Sequence, residues 1–160
     1  MTDLKNLKAG EFIKYTGSLI VMRDAAQKRL VELEQNGEKL PVNLSGKTIF
    51  YAGPTFSKER MIIGPTTAKR MDKFLEFLAK HKIMATIGKG TRSQQAVEII
   101  KKHQIPYFVT PSGCAAYLST HVVSWKLLAF DNLGPEAIYE IQVFDFPILV
   151  AIDIEGNKIF

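Results

Sequence analysis

The spacing of apolar positions changes several times along the chain, and each change marks an element. "GEFIKYTGSLIVM", residues 10–22, is rich in strand formers around a polar Thr16-Gly17 pair, which predicts strand on both sides of a turn. "RDAAQKRLVELEQNG" then shifts to a helical period, with Ala25, Ala26, Leu30 and Leu33 on one face and Asn36-Gly37 as the stop. Thr48 to Ala52 reads as a strand ended by Gly53-Pro54, and "TFSKERMIIG" as a loop or hairpin. From Thr67 onward Met71, Phe74, Leu75 and Leu78 recur at three and four, the stripe of an amphipathic helix. "IMATIG" predicts a short buried strand. "KGTRSQQAVEIIKKH" predicts a loop and a helix with Ala96, Val97 and Ile100 inward. "IPYFVTPSGCAAYLSTHVV" repeats strand, Ser-Gly turn and helix, and the tail from Lys126 is dominated by strand formers, with Glu155-Gly156-Asn157 as a hairpin turn. Together these elements predict one α/β domain over residues 1–160, layered, with a mixed sheet and a strand-rich edge.

Composition narrows the class without choosing a ligand. With 46% hydrophobic and 23% charged residues, the chain has the balance of an ordinary soluble globular protein. Its net charge of +5 fits an anionic ligand, an acidic partner subunit or nucleic acid. A single cysteine, Cys114, excludes an intramolecular disulfide and a cysteine-rich metal site within one chain. No signal-like core stands in "MTDLKNLKAG", and no apolar run approaches the roughly 18 residues of a membrane span. The expectation is a soluble protein of a reducing, cytoplasmic setting.

Candidate chemistry gathers where strands give way to helices, at "VMRDAA", "GPTTAKRMD", "IGKGTRSQ" and "TPSGCAA". Ligands of α/β proteins bind at such carboxyl ends of strands, where backbone N–H groups of helix starts face outward. Three of the four junctions add cations: Arg23, then Lys69 with Arg70, then Lys89 with Arg92. A cation in the first turn of a helix opposes the macrodipole, at about 0.3–1 kcal/mol each. Any one of them alone is an ordinary solvated charge, with Lys69 the best example of a bystander and Asp72 free to pair with Lys73 or Arg70. Repetition at consecutive junctions points instead to a bound anion that offsets the cost.

No phosphate-cradling loop is present, because Gly88-Lys89 would need a glycine at position 83, where Ile83 stands. Aromatic residues fall on apolar stripes and strands rather than among the cations, which disfavours a nucleic-acid surface. Separated Arg and Lys residues with Thr66, Thr67, Thr91 and Ser93 nearby suit a small ligand with one or two carboxylates. The histidines at 81, 103 and 121 have no metal-ligand spacing, and Cys114 at a helix start reads as a small packed residue.

These motifs, in order, resemble the β subunit, or C-terminal domain, of the class I iron–sulfur hydro-lyases, the fumarase and tartrate dehydratase group. The resemblance runs from "GSLIVMRDAAQKRL" through "GKTIFYAGP", "GPTTAKRMD" and "IGKG" to "LGPEAIYEIQVFDFPILVAIDIEGNKIF". It implies a swivelling β/β/α domain in three layers. "TTAKRMD" and "LGPEAIYE" lean to fumarate hydratase and "SGCAA" slightly to L(+)-tartrate dehydratase, so the resemblance on balance implies a fumarate hydratase, with tartrate dehydratase as the alternative. The family pattern usually has histidine after "RDAA", where this chain has Gln27, which leaves any acid–base or orienting role there open.

The resemblance further implies a [4Fe–4S] cluster held by three cysteines, with one iron open as a Lewis acid toward the substrate hydroxyl. One cysteine cannot hold it, so the cluster is expected on a separate α subunit in a hetero-oligomer. Arg23, Arg70 and Lys89 are then expected to bind the carboxylates of the dicarboxylate substrate. Thr66 is expected to take part in proton transfer with an acidic group of the α subunit. Two other classes stay open at this point: a stand-alone module for an anionic metabolite or RNA, and a purely structural partner subunit.

Overall fold

A computed structural model of the chain describes residues 3–111, 113 and 115–160. Ser112 and Cys114, and with them the Ser-Gly turn and the packing expected of the cysteine, lie outside the described residues. Strand β1 spans Phe12–Met22, helix α1 Asp24–Gln35, β2 Thr48–Tyr51, β3 Thr55–Ser57 and β4 Arg60–Ile62. A 3-10 helix over Ala68–Phe74 runs into α2, Leu75–Lys80, followed by β5, Ala85–Gly88, and α3, Gln94–His103. Strand β6 covers Tyr107–Val109, α4 Ala115–Ser119, β7 Val122–Ala129 and β8 Ile138–Ile152, with a second 3-10 helix at Asp131–Glu136. No helix among the described residues is long and apolar enough to cross a membrane.

The mixed α/β class predicted from the sequence is the class observed, and the strand-rich tail both leaves β7 as an edge and, through β8, closes the sheet. Strands β1, β2, β5 and β6 pair in parallel, and the long β8 pairs antiparallel with both β6 and β1. The sheet therefore closes on itself like a small barrel, with β7 added to the first half of β8. Closure covers the edges of β1 and β6, and β7 keeps one side unpaired among the described residues. The expected turn at Thr16-Gly17 is also absent: β1 is one strand, and its register with β8 shifts between Tyr15 and Gly17. Gly17 lies at φ 153°, and a Cβ there would stand 2.9 Å from the Tyr15 hydroxyl. The break in the pattern is thus a bulge, which bends the strand without ending it. "TFSKERMIIG" does form a hairpin, β3–β4, turning through Lys58 and Glu59, both at positive φ.

Both faces of the parallel strands are buried, which is why they read as unbroken apolar runs. One face, with Leu19, Val21, Phe50, Ile87, Phe108 and Phe146, fills the closed sheet. Phe50 of β2 meets Phe146 of β8 edge-on inside it, centroids 5.5 Å apart. The other face, with Ile20, Met22, Ile49 and Tyr51, packs under α1, α2 and α3 through Leu30, Leu75 and Ile100. Because β1, β2 and β5 are parallel, their carboxyl ends emerge on one side, at Arg23, Gly53 and Lys89.

The closing turn after β8 is organised by Asp153, only 1% exposed. Its carboxylate accepts backbone N–H groups of Ala9, Glu155 and Asn157 at 3.0–3.1 Å, and an antiparallel bridge pairs Ile152 with Lys158. Burial alone would raise the Asp153 pKa, but these N–H groups, with the Asn157 side chain, hold it below the usual carboxylate range. A carboxylate with a depressed folded pKa stabilises the fold above its unfolded pKa of about 3.9 and loses that contribution as pH falls through the folded value. Asp153→Ala should cost about 2 kcal/mol at neutral pH, a fall of about 4–8 °C in Tm. The gap should close as thermal melts are taken from pH 7 toward pH 2.

Candidate active site

The site is assembled where β1, β2 and β5 end. Residues 65–68 are drawn across these ends: Pro65 bridges to Ala52, Thr66 N–H donates to Tyr51 O at 2.8 Å, and Thr67 bridges to Lys89. Lys89 N–H donates to Thr66 O at 3.1 Å and Ala68 N–H to Lys89 O at 3.0 Å. This close approach requires Gly88. A Cβ there would lie 3.0 Å from Ala68 Cβ, 3.1 Å from Tyr51 Cδ2 and 3.3 Å from Thr66 O. Thr66 and Lys89, 23 positions apart, are backbone neighbours for this reason.

The amphipathic α-helix expected from Thr67 begins differently. Ala68–Phe74 winds as a 3-10 helix, and only Leu75–Lys80 is α-helical. Lys69 and Arg70 therefore do not sit on the first turn of a long α-helix, and the macrodipole cost expected of them largely falls away. Lys69 is exposed. Arg70 instead reaches sideways. Its Nε and Nη2 donate to the two carboxylate oxygens of Asp24 at 3.3 and 3.2 Å, and Nη2 also donates to Thr66 Oγ1 at 3.0 Å. Burial would raise the Asp24 pKa, but its hydrogen bond from Arg70, its own backbone N–H and the charges of Arg70 and Arg23 bring it below the usual range.

Arg23 stands at the N-cap of α1. Its side chain passes over Gly53, where a Cβ would come within 2.7 Å of Arg23 Cδ and 3.0 Å of Nη1. Glu136 Oε1 is 3.9 Å from Arg23 Nε, which is buried without a hydrogen-bond partner among the described residues. Arg23, Asp24, Lys28, Arg70, Lys73 and Glu136 line one cleft of about 390 Å³. Lys89 is exposed, and it lines a different cavity, of about 610 Å³, with Phe12, Thr91, Pro147 and Phe160. Of the four residues singled out from the sequence, Arg70 shares the cleft with Arg23 and is hydrogen-bonded to Thr66. Lys89 joins them through its backbone.

Three junction residues, Arg92, Asp72 and Ser93, turn out to be structural. Arg92 is buried, and it donates to Asp72 Oδ1 at 2.6 Å, Thr86 Oγ1 at 3.1 Å and the Tyr51 hydroxyl at 3.3 Å. It also lies 5.0 Å from the centroid of the Tyr107 ring. Asp72 does not pair on the surface with Lys73 or Arg70: it takes Arg92 and the Ser93 N–H, at 2.7 Å, and so ties the 3-10 helix to the start of α3. The Ser93 hydroxyl caps α3 by accepting Ala96 N–H at 3.1 Å. Gln27 is fully buried. Its Nε2 donates to Arg23 O at 3.2 Å and touches Met71 Sδ, so it braces Arg23 against the 3-10 helix. Sequence reasoning passed over Asp24 and Glu136, although both stand in the quoted motifs; an acid in a first helical turn reads as dipole compensation alone.

Among the described residues no group of three His, Cys, Asp or Glu side chains could hold a metal ion. The chain's single cysteine does not supply the three thiolates an iron–sulfur cluster needs, so the residues of this chain do not fit such a cluster.

Comparison with known proteins gives a consistent answer. A family model described as "Fumarase C-terminus" matches residues 1–160. The chain is similar to the L(+)-tartrate dehydratase subunit beta of Escherichia coli K12, at 34% identity over 98% of this chain and 81% of that protein. It is 39% identical to the aerobic class I fumarate hydratase of the same organism, over 100% of this chain and 30% of that enzyme. Fumarate hydratase 2 of Leishmania major is 36% identical over 99% of this chain and 29% of its own length. The chain therefore spans most of the tartrate dehydratase subunit and less than a third of either fumarate hydratase.

Proposed function

The chain belongs to the fumarase C-terminus family, and from that premise we propose that it is the β subunit of a class I fumarate hydratase. In this reading residues 1–160 act as one cytoplasmic domain that hydrates fumarate reversibly to (S)-malate with a separate α subunit. The observation that carries the reading is the cleft in which Arg23 and Arg70 face a common space while Arg70 rests on Thr66 Oγ1. A [4Fe–4S] cluster belongs to the α subunit in this account, since this chain has one cysteine. In this reading the domain is a swivelling β/β/α domain that closes on that subunit, which the closed mixed sheet with helices on one face supports.

The roles of this chain's residues follow from their chemistry. Arg23, whose side chain is partly exposed where it lines the cleft, and Arg70, whose Nη1 is not engaged by Asp24 or Thr66, offer guanidinium groups to the two substrate carboxylates. Lys89 adds a third cation at the end of β5. Removing a proton from the carbon beside a carboxylate pushes charge onto that carboxylate, and fixed cations stabilise it best once the partner subunit excludes water. Thr66 Oγ1 is a weak base alone. The guanidinium hydrogen bond from Arg70 stabilises negative charge on that oxygen, and an acidic group of the α subunit completes the transfer.

L(+)-tartrate dehydratase is the second reading, favoured by the Gly113-Cys114 pair and by the match to 81% of the Escherichia coli subunit's length. A substrate screen with the anaerobically assembled α and β chains separates the two. The first reading expects kcat/KM for malate and fumarate well above that for L(+)-tartrate. The reverse order assigns the tartrate activity, and absence of turnover on all three overturns both.

A further inference from the structure

Both arginines of the cleft face a carboxylate, but the two pairs are built differently. Glu136 stays 3.9 Å from Arg23 Nε and makes no hydrogen bond to it. Asp24 takes Arg70 by a two-pronged fork, at 3.3 and 3.2 Å. The Arg70 side chain is 46% exposed, and its only other hydrogen bond among the described residues is the one to Thr66 Oγ1. An exposed arginine is a long, flexible side chain that one hydrogen bond does not fix in place. Asp24 is itself fixed as the first residue of α1, directly after Arg23.

We propose that Asp24 is the positioning residue for Arg70: it grips the Nε–Nη2 edge, sets Nη2 against Thr66 Oγ1 and leaves Nη1 for the ligand. The inference rests on the reading of Arg70 as a carboxylate-binding residue. Asp24 also carries negative charge into a site for an anion. The two-pronged pairing with Arg70 and the nearby Arg23 charge offset that repulsion, whereas the alignment it enforces is lost outright without it. Positioning therefore outweighs repulsion, and removing the carboxylate weakens the site instead of freeing it.

Two measurements test this. In the isotopically labelled full chain, the Arg70 Nε–Hε NMR signal should be resolved and slow to exchange with water, and Asp24→Asn should shift it toward that of a free arginine. In the assembled αβ enzyme, Asp24→Asn should lower kcat/KM about fivefold to tenfold, chiefly through KM, and should add less than about twofold in an Arg70→Ala background. A residue that only supports the fold would leave the two effects additive. An Nε–Hε signal indifferent to Asp24→Asn, additive kinetic effects, or an increase in kcat/KM overturns the proposal. If the wild-type complex turns over neither dicarboxylate, the hydro-lyase reading fails, and the NMR experiment still decides whether Asp24 holds Arg70.

Discussion

Arg70→Ala in the assembled enzyme should lower kcat/KM by roughly tenfold to hundredfold, the loss of one charge-assisted contact worth about 1.5–3 kcal/mol. Two features of the site place the effect in this range. Arg70 borders the cleft beside Arg23, and the same guanidinium donates to Thr66 Oγ1. Truncation removes a carboxylate ligand and also the cation that supports charge on the threonine. The fold should be nearly untouched, because the Arg70 side chain is 46% exposed; Tm should stay within about 2 °C of wild type. Lys69→Ala is the matched control. Lys69 is the neighbouring exposed cation outside the cleft, and its loss should change kcat/KM by less than about twofold. Steady-state kinetics on the two variants decide the matter. Equal activity of Arg70→Ala and wild type would reduce the chain to a structural partner.

The largest loss of stability is expected from Asp72→Ala. The Arg92 side chain is 0% exposed and Asp72 only 11%. Removing the carboxylate leaves a buried guanidinium facing Thr86, Tyr51 and the Tyr107 ring, with no counter-charge among them. Breaking one side of a buried ion pair costs about 3–5 kcal/mol. For a chain of 160 residues that is a fall of roughly 6–20 °C in Tm. Asp72→Asn should be milder, since an amide oxygen can still accept the Ser93 N–H. Thermal denaturation followed by circular dichroism measures both, and a shift below about 2 °C for the alanine variant would contradict the account.

The same pair shows where the sequence stops being legible. Asp72 and Arg92 are 20 positions apart on segments that each look amphipathic and solvated, and nothing local says that they meet in the core. Arg92 therefore read as one more cation of an anion site. Its burial became visible only once β2, β5 and α3 were packed together. Closure of the sheet was hidden for a related reason. A strand-rich tail has the same period of two whether it forms an edge or closes a barrel, and pairing partners distant in sequence decide which. By contrast, Arg23, Arg70 and Lys89 were legible as cations of the strand-to-helix junctions, because parallel strands bring their carboxyl ends, and the turns after them, to one side; only the family resemblance singled out Thr66 among the nearby hydroxyls. Gly53 read as turn punctuation and Gly88 as the end of a strand, whereas the structure gives them work: one leaves room for Arg23, the other lets Thr66 and Lys89 join.

The most direct test of the central claim is malate dehydration by the cluster-bearing α chain, assayed anaerobically with and without this chain. The account predicts negligible turnover by the α chain alone, turnover on adding the wild-type chain, and little restoration by a chain carrying Arg23→Ala together with Arg70→Ala. Full activity of the α chain alone, or restoration by the doubly substituted chain to the wild-type level, would contradict it.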